Sequence, residues 1–95
     1  PEIIIRSKNY SYFVIIVECK ADTKKHESIN LDKYSEFAVD GVLLYASFLS
    51  KEFDVLAIAV SGENETELRI SQYLHLKNTH KSQNMCIFLQ IYILL

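Results

Sequence analysis

Ninety-five residues, 49% hydrophobic and 23% charged, are enough for one packed domain and exclude a disordered chain, a fibrous one or a second domain. Ten Lys and Arg against twelve Asp and Glu give a formal charge of −2, which excludes a general attraction to polyanions, so any contact with nucleic acid must come from a local patch. Cys19 and Cys86 stand alone, without Cys-x-x-Cys or Cys/His ligand spacing, which excludes a disulfide framework and structural zinc and points to a reducing, cytoplasmic setting.

The chain opens on Pro1 rather than Met, which reads as a piece of a longer protein. Glu2 to Arg6 is a short β-branched run, and the polar residues Ser7 to Ser11 behind it, with Asn9 among them, read as the turn of an antiparallel hairpin. The returning strand, Tyr12 to Lys20, is the core of the chain. Alternation puts Val14, Ile16, Glu18 and Lys20 on one face and Phe13, Ile15, Val17 and Cys19 on the other. A buried strand thus ends by delivering a carboxylate and an ammonium together. If the hairpin turns at Ser7 to Tyr10, Glu2 comes to lie beside Glu18. The plainer alternative is an exposed Glu-Lys pair at a strand end, which contributes little.

Ala21 to Ser28 is polar and carries the densest positive cluster, Lys24, Lys25 and His26. It is either a solvated loop or a patch that holds phosphates without reading sequence. Asp32 is the expected N-cap of an amphipathic helix running to about Glu52, with Tyr34, Phe37, Ala38, Gly41, Tyr45, Phe48 and Leu49 at helical spacing. Gly41 costs that helix about 1 kcal/mol relative to Ala, which close approach to the sheet would explain. Asp40 and Tyr45 are auxiliary site candidates, against the simpler roles of a solvated Asp and a core Tyr.

Asp54 to Ser61 is a continuous apolar run ended by Gly62, as for a strand covered on both faces. Strand, helix and strand in succession predict a parallel pair with a right-handed crossover, hence a mixed α/β (α+β) sheet. An acidic turn, Glu63 to Glu67, leads to another strand over Leu68 to Leu76, with Ile70, Gln72, Leu74 and Leu76 on one side. Residues 79–95 read as a polar connector and an apolar tail. Within the tail, Met85 to Leu95 has ten apolar residues of eleven, too few for the roughly 18 to 20 that span a membrane.

Pro1-Glu2, fifteen residues, then Glu18-Cys19-Lys20 resembles the PD-(D/E)xK nuclease superfamily, with Glu for the usual Asp in its first half. Val17 to Asp22, Lys25 to Ser28, Ala38 to Gly41, Tyr45-Ala46 and Leu56 to Gly62 extend the likeness over 1–78. They are similar to the nuclease domain of type I restriction subunits and restriction nuclease-methyltransferase fusions. The resemblance implies a restriction-endonuclease-like mixed sheet flanked by helices, here without the family's leading helix, and a Mg²⁺-dependent (or Mn²⁺-dependent) DNA endonuclease of a restriction-modification system. It implies that Glu2, Glu18 and the backbone carbonyl of Cys19 bind the metal while Lys20 helps position or activate the attacking water. Lys24, Lys25 and His26 would meet DNA, and helicase or methyltransferase and specificity domains would be partners. Gly41 departs from the pattern, standing where relatives often carry a Gln four residues before the Tyr. The alternative is a nucleic-acid interaction module that does not cleave, or a fragment inactive without its flanks.

Overall fold

The computed structural model describes residues 2–80 and 82–84. The expected tail, Met85 to Leu95, lies outside them. Five strands form one mixed sheet in the order β1 (Ile3–Arg6), β2 (Phe13–Lys20), β3 (Asp54–Ser61), β4 (Arg69–His75) and β5 (Gln83–Asn84), with helix α1 (Ala38–Leu49) on one face. β1 and β2 are the expected antiparallel hairpin, in the register Ile3 to Val17 and Ile5 to Ile15. Its turn is closed by Tyr10 N–H donating to Ser7 O and Phe13 N–H to Tyr10 O. β2 and β3 are parallel, Val14 beside Val55 and Lys20 beside Ser61, and β3 and β4 antiparallel. The mixed sheet and crossover helix were thus legible in the apolar periodicity.

Val14 and Ile16 of β2, with Val55, Ala57 and Ala59 of β3, meet Ala38, Val39, Val42 and Ala46 of α1 in a closed core. Fully burying each Val or Ile contributes about 1.5–3 kcal/mol. The alanines matter through what they lack, since small side chains on both surfaces let helix and sheet approach closely. In a strand-helix-strand unit the helix runs back against the strands, so the first turn of α1 sits at the carboxyl ends of β2 and β3. Open α/β sheets bind ligands at that end.

Two expectations need correction. The helix begins at Ala38 with Phe37 as N-cap, not at Asp32, because the Lys33 N–H donates to the Asp40 carboxylate at 2.9 Å and Leu31 takes a left-handed φ of 56°. The segment meant for the first helical turns wraps onto the helix instead. β3 is helix-covered on one face only among the described residues, while Leu56, Ile58 and Val60 share the other with Ile15 and Val17.

Candidate active site at the end of the parallel pair

Glu18 and Lys20 leave β2 on the α1 face, at the carboxyl end of the parallel pair, as alternation requires. The Lys20 ammonium donates to the Ser35 carbonyl at 3.0 Å, fastening the loop before α1 to the strand end. Gly41 lies beneath this contact. A methyl group there would stand 2.7 Å from Tyr34 O and 3.8 Å from Glu18 Oε2, so any side chain at 41 collides with the loop main chain. A Gln at this position has no space here, because the Tyr34 carbonyl occupies it.

Glu2 enters from the neighbouring strand. Its N–H donates to Val17 O at 2.8 Å, and the strand pairing of β1 ends at Ile3, so its main chain is anchored one step short of Glu18. Val17 O therefore faces β1, whereas Lys20 O faces β3 through Gly62 N–H at 2.9 Å. Successive strand carbonyls alternate, so Cys19 O turns towards the β1 side, where Glu2 enters. Burial raises the Cys19 thiol, and the Glu2 and Glu18 charges raise it further.

Among the described residues no three His, Cys, Asp or Glu side chains gather as a metal-binding group. Mg²⁺ does not require one, because it keeps several waters and takes one or two carboxylates. Glu2, Glu18 and the Cys19 carbonyl are oxygen donors of the kind that ion takes.

The positive loop divides on inspection. Asp22 caps a 3₁₀ turn over Thr23–Lys25 by accepting Lys24 N–H at 2.8 Å. Lys24 is exposed, and Lys25 lies 3.7 Å from Glu36 Oε2 and over the Phe37 ring at 5.1 Å. His26 was expected beside DNA; instead it is 1% exposed, its Nδ1 2.8 Å from Ser61 Oγ and its Nε2 2.8 Å from Ser71 Oγ. Enclosure removes it from any phosphate and makes it a clamp across the ends of β3 and β4. Its carbonyl accepts Val39 N–H at 2.8 Å, tying the loop to α1. The signal for this role was a serine closing the apolar run of β3 and another on the α1 face of β4.

The two auxiliary candidates also separate. Asp40 is fully buried and accepts hydrogen bonds from Ser28 N–H, Ser28 Oγ and Lys33 N–H, so it organises the loop rather than facing solvent. Tyr45, one turn beyond Gly41, is 41% exposed rather than in the core. A concavity lined by Ser50, Lys51, His75, Asn78 and Thr79 lies at the opposite end of the sheet. It has no carboxylate and is poorly suited to a hard cation.

The pH response of the fold follows from His26. Burial lowers its pKa, and the nearby Arg69 lowers it further. The unfolded chain takes up a proton near pH 6.5 while the folded chain still resists, so the His26 contribution is complete above that pH and is lost as pH falls through the folded value. Urea unfolding midpoints should fall on going from pH 7 to pH 5.5, at up to about 1.4 kcal/mol per pH unit from this one group. A His26→Gln variant should be less stable at pH 7 and lack this slope. A parent midpoint that is flat over this range would rule the assignment out.

No protein-family model, curated protein or solved structure matches the chain. No helix among the described residues is long and apolar enough to cross a membrane.

Proposed function

We propose that the chain is the nuclease domain of a restriction-modification system, with a restriction-endonuclease-like fold, and that it hydrolyses DNA phosphodiester bonds with Mg²⁺, for which Mn²⁺ can substitute. The observation that carries the reading is the joint exit of Glu18 and Lys20 at the carboxyl end of β2, with the Glu2 main chain tied in at Val17 and Gly41 admitting the Tyr34 carbonyl against the first turn of α1. Glu2, Glu18 and Cys19 O would hold the metal. When bound, the ion polarises a phosphoryl oxygen and acidifies a water. The chain's own groups do the rest: Lys20 orients the attacking water and offsets charge gathering on the phosphate, and exposed Lys24 and Lys25 hold the strand. With a net charge of −2, helicase or methyltransferase and specificity domains would supply recognition and most of the affinity.

One observation favours a module that binds without cleaving: the Lys20 ammonium is already engaged by Ser35 O. Metal binding separates the readings. Titration calorimetry should detect a Mg²⁺ or Mn²⁺ site that Glu18→Ala abolishes. No heat in the parent, or an isotherm unchanged by the substitution, would leave the non-cleaving module.

A further inference from the structure

The outer edge of β1 has no strand against it among the described residues. Val17 O faces β1 and Lys20 O faces β3, and backbone groups alternate along a strand, so Ile15 and Val17 present their N–H and C=O to Ile5 and Ile3. Ile4, between those two, turns both of its backbone groups outward. β1 is also open above and below: Ile3, Ile4 and Ile5 are 47%, 52% and 49% exposed, and α1 lies over β2, β3 and β4. Natural sheets blunt such an edge with proline, charge or a covering element. Between Glu2 and Arg6 this strand has neither proline nor charge.

We propose that β1 pairs with β1 of a second copy of this chain, antiparallel about a two-fold axis at Ile4, joining two sheets into one. The charges select both the direction and the register. In Glu2-Ile3-Ile4-Ile5-Arg6, setting Ile4 against Ile4 sets Ile3 opposite Ile5 and brings Glu2, just beyond the strand with its N–H turned inward to Val17 O, beside Arg6 of the second copy at each end. Parallel pairing would bring Glu2 to Glu2 and Arg6 to Arg6. A slip of one residue would break both ion pairs and turn the Ile4 backbone groups out of alignment. Like charges set opposite each other across strands are unfavourable, which disfavours the parallel pairing, and the slip forfeits both ion pairs. Arg6 is restrained beforehand, its guanidinium 5.1 Å from the centre of the Phe53 ring. The pairing also carries Arg6 of the second copy to Glu2, adding a guanidinium suited to phosphate beside the proposed metal ligands. That last consequence rests on the nuclease reading; the pairing does not.

Sedimentation equilibrium over a concentration series tests it. The parent chain should dimerise. Ile4→Pro deletes an outward N–H, which edge strands tolerate, together with a half-exposed side chain, and should abolish the dimer while the monomer keeps its circular dichroism and its cooperative unfolding transition. Glu2→Lys and Arg6→Glu should each weaken association about tenfold or more, and the double variant should restore it. A parent that stays monomeric, or a dimer unmoved by Ile4→Pro, overturns the proposal. So does a monomer whose Ile4 amide resists hydrogen exchange, because another part of the polypeptide would then cover the edge. Dimerisation without metal binding, or metal binding without dimerisation, tells which of the two readings has failed.

Discussion

Lys20→Ala should lower the proposed DNA cleavage about 100- to 1,000-fold, the usual loss when a preorganised charge is removed from a developing oxyanion. DNA binding should change little, since the exposed Lys24 and Lys25 proposed to hold the strand are untouched. The substitution also deletes the Lys20 bond to Ser35 O, so a structural explanation must be separated from a chemical one. The loop has independent anchors, with Asp40 holding Ser28 and Lys33 and the His26 carbonyl holding Val39 N–H. The unfolding midpoint should therefore move by less than about 1 kcal/mol, the net worth of one part-exposed hydrogen bond. Cleavage at the parental rate with binding intact would remove Lys20 from the chemistry. A large drop in stability would instead assign it to loop positioning.

What the sequence made legible was periodic, and what it hid was long-range. Alternation in 12–20 and the unbroken apolar run of 54–61 are read residue by residue, and they specify β2, β3 and the face on which Glu18 and Lys20 appear. The start of α1 could not be read that way. Asp32 and the apolar residues after it satisfy every local rule for a helix start, yet the Lys33 amide goes to Asp40, seven residues on, and local propensity yields to a buried carboxylate in need of donors. His26 failed for the same reason. Beside two lysines it looks like a third cation, and only the packing of β3 against β4 brings Ser61 and Ser71 to its two nitrogens. Gly41 was half legible: close approach was expected, but towards the sheet, whereas its tightest neighbour is the Tyr34 carbonyl of the loop.

Asp40→Ala should be the most damaging substitution to the fold outside the apolar core. It strands three donors, the Ser28 N–H, the Ser28 hydroxyl and the Lys33 N–H, around a fully buried position. Each unmet buried donor costs about 1–3 kcal/mol, and partial opening of the loop to water should hold the total near 3 kcal/mol. Asp40→Asn keeps one acceptor oxygen but turns an amide N–H₂ on a donor, so an intermediate loss is expected. Burial alone would raise the Asp40 carboxyl; the hydrogen bonds from Ser28, Lys33 and its own N–H outweigh it and hold the group below its ordinary value of 3.8. A carboxyl depressed in the fold adds stability that is present above its unfolded pKa and disappears as pH falls through the folded value, a window distinct from that of His26. Freeing Ser28 and Lys33 also loosens Tyr34 and Ser35, whose carbonyls meet Gly41 and Lys20, so the damage reaches the proposed site through the loop backbone. Urea unfolding together with amide exchange at Ser28 and Lys33 measures both effects. An Asp40→Ala chain as stable as the parent, with those amides still protected, would mean that the loop is held by something other than this carboxylate.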